Sequence, residues 1–88
     1  MIYRLELSNR AKKQLKKLDK PIAEMILRWL YKNIDNTAEP RQHGKALKGN
    51  LNNRWRYHIG DYRIIVNIQD DKLIVLALEV GHEKIYNL

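Results

Sequence analysis

The chain has 88 residues, room for one small domain, and its 44% hydrophobic content suits a single modest core and argues against disorder. It holds no cysteine, which excludes disulfide staples and thiolate metal sites. Seventeen Lys and Arg against ten Asp and Glu give a net charge of +7, a balance that favours a polyanionic partner, nucleic acid first.

The opening MIYRLELSNR carries charges at Arg4 and Glu6 and so lacks the apolar core of a signal peptide. No stretch approaches the roughly 18 apolar residues a membrane span needs, so a soluble, cytoplasmic protein with no membrane partner is expected. Residues 2–7 alternate, with Tyr3, Leu5 and Leu7 on one parity, which predicts a half-buried strand. Ser8 then offers a helix N-cap. Ala11, Leu15 and Leu18 follow at helical spacing, while Lys12, Lys13, Lys16, Lys17 and Lys20 fill the other faces.

Pro21 suits a first helical turn. A second helix is predicted from Ile22, Met25, Ile26, Trp29, Leu30 and Ile34, so tightly joined to the first that the two should form a hairpin. Residues 36–44 read as loop, and Lys45 to Lys48 as a short connection. Three strands are then expected at about 54–59, 62–69 and 72–80, separated by the turn signals Gly60-Asp61 and Asp70-Asp71. A tail spans 81–88. The fold class is α+β: an N-terminal strand, a helical hairpin and a three-strand antiparallel meander, one antiparallel sheet with the helices packed on one face.

The segment RWRYHIGDYR carries the chemistry. With Gly60-Asp61 as a two-residue loop, Ile59 faces Tyr62, His58 faces Arg63, Tyr57 faces Ile64, Arg56 faces Ile65 and Trp55 faces Val66. Trp55, Tyr57, Ile59, Tyr62, Ile64, Val66 and Ile68 then share a core face, and Arg54, Arg56, His58, Arg63 and Asn67 share the other. A solvated face that discourages edge pairing is one reading. Three arginines and a histidine with no acid among them before Asp61 favour the other, an anion site. Guanidinium groups grip phosphate oxygens by forked hydrogen bonds and stabilise the charge of a pentacoordinate phosphorus without a metal. His43, His58 and His82 lack metal-ligand spacing, so no metal or other cofactor is expected. His82 and Tyr86 in the tail are candidate proton-transfer groups.

These residues resemble the RelE/ParE toxin superfamily, in particular RelE-type toxins, over nearly the whole chain. The resemblance rests on AKKQLKKLDKPIAEMIL, KALKGNLNNRWRYHIGDYRIIVNI and VLALEVGHEKIY. It implies a metal-independent endoribonuclease that cuts mRNA in the ribosomal A site by attack of the 2′-hydroxyl on the adjacent phosphate. On that resemblance Arg63 is the transition-state arginine, and Arg54 and Arg56 hold the phosphate and assist proton transfer. Tyr86 stacks on a base and helps activate the 2′-hydroxyl. Lys45 and Lys48 resemble ribosomal-RNA contacts, and His58 joins the RNA-binding set. Where relatives often carry Arg or Lys after the Gly-His pair, this chain has Glu83; Lys84 then stands for the second cation, or His82 for the acid. Implied partners are ribosome and mRNA, an acidic cognate antitoxin that wraps the basic surface and contacts the hairpin near Leu27 and Tyr31, and operator DNA only through the antitoxin complex. The alternatives are a ParE-like gyrase inhibitor without nuclease activity, or a non-catalytic nucleic-acid-binding module.

Overall fold

The computed structural model describes residues 1–47 and 53–86, the side chains of 85 and 86 excepted. Strand β1 (Arg4–Leu7) leads into helix α1 (Asn9–Lys17), whose first turn is capped by Ser8: its Oγ accepts the Ala11 N–H at 3.0 Å. Helix α2 (Lys20–Asn33) starts with Pro21 in its first turn, where a missing N–H costs nothing. Strands β2 (Lys45–Ala46), β3 (Arg54–Ile59), β4 (Tyr62–Gln69) and β5 (Ile74–His82) follow, and a short helix α3 (Glu83–Tyr86) closes the chain.

Both helices lie on one face of a five-stranded sheet of order β1-β5-β4-β3-β2. Ala11 and Leu15 of α1 and Ile26, Leu30 and Ile34 of α2 meet Tyr57, Ile64, Val66, Ile68, Val75 and Ala77 of the sheet in one buried cluster. The predicted core parity therefore holds. So does the hairpin register: all five predicted β3–β4 pairs occur, joined by the two-residue loop Gly60-Asp61 with Gly60 at φ 58°.

Three expectations need correction. The sheet is mixed, because β1 pairs in parallel with β5. Alternation reports which face of a strand is buried, but neither its neighbour nor its direction. Lys45-Ala46, expected as connection, is an edge strand antiparallel to β3, too short to show a period. Strand β5 runs Ile74–His82, two residues later at each end than expected. Leu73, at φ 55°, closes the preceding turn, and His82 still pairs with Tyr62.

The segment between α2 and β2 is held by side chains of the sheet and the helices. Tyr57 Oη donates to the Pro40 carbonyl at 2.6 Å and Trp55 Nε1 to the His43 carbonyl at 2.5 Å. Burial pushes the Tyr57 hydroxyl well above its ordinary range. Gly44 adopts φ 78°, and a Cβ there would lie 2.1 Å from the Arg56 carbonyl oxygen, so only glycine lets this loop press against β3. Across the molecule, Tyr3 Oη donates to Asp70 at 2.5 Å and Arg41 forks onto both Asp70 oxygens at 2.9 Å. These bonds tie β1, the loop and the β4–β5 turn together.

Candidate functional site

On the sheet face away from the helices, the cross-strand pairs form ordered rows. Arg54 lies opposite Asn67. Lys45, Arg56, Ile65 and Glu79 form a row across β2, β3, β4 and β5. His58, Arg63 and Gly81 form the next. Directly paired residues on one face stand ~5 Å apart and diagonal ones ~7–8 Å, so Arg56 and Arg63 act on one small volume. That volume is a cleft of about 650 Å³ whose walls include Arg54, Arg56, Arg63, Arg10 and Glu79, with Ile65, Leu47 and Leu78 as its apolar part.

Arg54, Arg56 and Arg63 are half-buried residues. Arg56 Nε is buried and has no hydrogen-bond partner among the described residues. A donor left so is poised for an acceptor the protein does not itself supply. Gly81, opposite Arg63 on β5, contributes no side chain to this face.

Glu79 is the residue that sequence reading missed. The arginine set appeared free of acids, and by simple alternation Glu79 shares the parity of the buried Val75 and Ala77. The structure turns it to the cleft through a β-bulge. Val66 pairs with Ala77 but Ile65 pairs with Glu79, so Leu78 is the extra residue and every later side chain changes face. Helix α1 braces the bulge: Gln14 Oε1 accepts the Val80 N–H at 2.6 Å and Ser8 Oγ donates to the Leu78 carbonyl at 3.2 Å. Glu79 then pairs with Arg10 at 3.0 Å on the lip of the cleft. The only signal in the sequence is a carboxylate in an otherwise apolar strand.

The tail residues divide. His82 pairs with Tyr62 and its ring packs edge-on against that ring at 5.2 Å, on the helix side of the sheet and away from the arginines. Its Nδ1 accepts the Lys84 N–H at 3.1 Å. The same bulge is the cause, since it shifts the parity of everything after Leu78. Glu83, by contrast, comes to 3.8 Å from His58 Nδ1. Lys84 is exposed, and Lys45 shares the arginine face beside Arg56. Tyr86 ends α3 with its side chain outside the described residues, as Lys48 is altogether. Among the described residues no three His, Asp or Glu side chains come together as metal ligands would, and no helix is long and apolar enough to cross a membrane.

A second surface lies between the helices. Leu7, Leu15, Leu18, Ala23 and Leu27 floor an apolar groove of about 360 Å³ with Lys12, Lys16 and Lys20 along its rim.

No curated protein sequence matches this one. The family model of the ParE toxin of the type II toxin–antitoxin system parDE matches residues 5–85. The toxin–antitoxin complex RelBE2 from Mycobacterium tuberculosis contains a chain 26% identical, with a TM-score of 0.83 over 93% of this chain and 99% of that one. A mutant of the E. coli toxin RelE in the free state is 24% identical, with a TM-score of 0.78 over 98% of this chain and 88% of that one. A chain of the archaeal RelE–RelB complex from Pyrococcus horikoshii is 23% identical, with a TM-score of 0.68 over 94% and 97%. The two helices on a five-stranded sheet are thus the RelE-like arrangement, and the chain belongs to the RelE/ParE superfamily as a toxin of a type II toxin–antitoxin system.

Proposed function

We propose that residues 1–88 are a single toxin domain that acts in the cytoplasm as a metal-independent, ribosome-dependent mRNA endoribonuclease and so inhibits translation. The observation that carries this reading is the convergence of Arg54, Arg56 and Arg63 in one half-buried cleft of the open sheet face. Three forked cations match the three kinds of oxygen at a reacting phosphodiester: attacking, leaving and non-bridging. Arg63, on the central strand β4 and in the wall of the cleft, stabilises the charge that builds on the non-bridging oxygens. Arg54 and Arg56 hold the phosphate. Lys45, with Lys48 and Lys84, contacts ribosomal RNA, and Tyr86 stacks on a base.

Primer extension on a translated message, wild type beside Arg63→Ala, tests this. Cleavage by the wild type, reduced at least about 100-fold in the variant, supports it, since removal of one oxyanion donor costs on that order. The match to the ParE family favours one second reading, a gyrase inhibitor. Growth arrest with intact message and altered DNA supercoiling would establish that instead. Salt-sensitive RNA binding without cleavage would leave a non-catalytic binding module.

The partner is a cognate antitoxin, as in the M. tuberculosis complex, and operator DNA is reached only through it. The apolar groove with its lysine rim suits an amphipathic segment whose polar face is acidic, and Leu27 is in its floor. Tyr31, 53% exposed, lies on the same helix outside the groove.

A further inference from the structure

Cleavage by 2′-hydroxyl attack needs a base at O2′ and an acid at O5′, on opposite sides of the phosphorus. Arginines supply neither readily, because guanidinium does not give up its proton near neutrality. His82 stands on the wrong side of the sheet. Two titratable groups do flank Arg63 on the cleft face. His58 on β3 is its direct cross-strand partner, and Glu79 on β5 is its diagonal neighbour on the other side. Arg63 therefore lies between them, one strand from each.

Resting on the nuclease reading above, we infer that Glu79 is the general base and His58 the general acid of the reaction, with Glu83 as the positioning residue of His58. The carboxylate of Glu79 takes the 2′-hydroxyl proton as the O2′–P bond forms. The P–O5′ bond breaks, and the imidazolium of His58 gives its Nε2 proton to O5′. The products are a 2′,3′-cyclic phosphate and a 5′-hydroxyl, with no external reactant consumed.

Several features support these roles. Glu79 reaches the cleft only because of the bulge at Leu78, and bulges re-aim side chains beside active sites. Arg10 from α1 holds its carboxylate at the lip. His58 is exposed enough to meet RNA, and Glu83 lies 3.8 Å behind its Nδ1. That distance is an ion-pair separation that can tighten on substrate binding, and it leaves Nε2 for the substrate. Among the described residues, the charged groups facing His58 are Arg63 from β4, Glu83 from α3, Lys45 diagonally across on β2 and Arg56 on its own strand. Those facing Glu79 are Arg10 from α1 and, across the cleft, Arg63 and Arg56.

Single-turnover cleavage of a message on purified ribosomes, measured against pH, tests the assignment. His58→Gln and Glu79→Gln should each lower kcat by about 100-fold or more, with folding checked by circular dichroism. The wild-type profile should be bell-shaped. Its alkaline limb, where the acid loses its proton, should vanish in His58→Gln, and its acid limb, where the base gains one, in Glu79→Gln. Glu83→Gln should lower kcat less, and not further in the His58→Gln background. A wild type that does not cleave overturns the nuclease reading, and this one with it. Wild-type cleavage with both Gln variants retaining kcat and both limbs, or losing only affinity, overturns the acid–base assignment and leaves the nuclease standing.

Discussion

Asp70 shows how much one exposed side chain can organise. The Arg41 guanidinium, bonded to both its oxygens, and then the Tyr3 hydroxyl hold its carboxyl down to about 2, against an ordinary 3.8. The same contact raises Tyr3 and Arg41. A depressed carboxyl stabilises the fold wherever it is ionised in both states, which is above pH 3.8. That stabilisation is lost as pH falls from 3.8 through about 2. With the Asp70 side chain 48% exposed, solvent screening keeps the effect to about 1 kcal/mol or less. Urea titrations at pH 6 and pH 2.5 should therefore show that Asp70→Asn is less stable than wild type at the higher pH, with a narrower gap at the lower. A constant gap between the two would remove the pair from the acid sensitivity of the protein. At this scale the sequence was informative about type but not about contact: Asp70 read only as a turn residue, because its partners are 29 and 67 positions away.

At the scale of the element, β5 decides the site. Its bulge is braced by Gln14, whose side chain takes a backbone N–H that the ladder leaves over. Gln14→Ala leaves that donor in a half-buried place without its acceptor, a loss of about 1–3 kcal/mol. Native-state hydrogen exchange should report it as reduced protection centred on the Val80 amide, and chemical denaturation as a lower midpoint. Unchanged protection at Val80 would mean that the bulge stands without α1. The helices and the β3–β4 hairpin were legible in sequence because each carries its own period, and a two-residue Gly-Asp turn sets the register between two alternating runs. The bulge was not legible, since one extra residue breaks the period that alternation depends on. For that one reason Glu79 lies on the cleft side of the sheet and His82 on the helix side.

Over the whole molecule, the charge of +7 is not spread evenly. Arginines concentrate on the open sheet face and lysines on the helix hairpin, on opposite sides of the core. Binding of single-stranded RNA in the cleft should show a negative log–log salt slope of roughly 0.7 per phosphate neutralised. Arg54→Ala should make that slope shallower, while Lys16→Ala in the groove should leave it unchanged. Filter binding across a salt series would measure both. An equal loss from the two variants would mean that the net charge, and not the cleft, governs RNA affinity.

The amino-acid order alone determined the α+β class, the buried parity of each helix and of the central hairpin, and the collection of Arg54, Arg56 and Arg63 on one face. Those properties follow from local periodicity and one tight turn. The tertiary structure alone decided that β1 joins β5 in parallel, that Lys45 lies in a strand beside Arg56, and that Glu79 enters the arginine cleft while His82 leaves it. Each of these depends on pairing between segments distant in the chain, where hydrogen-bond partners are chosen by packing against the helices and no local repeat records the choice.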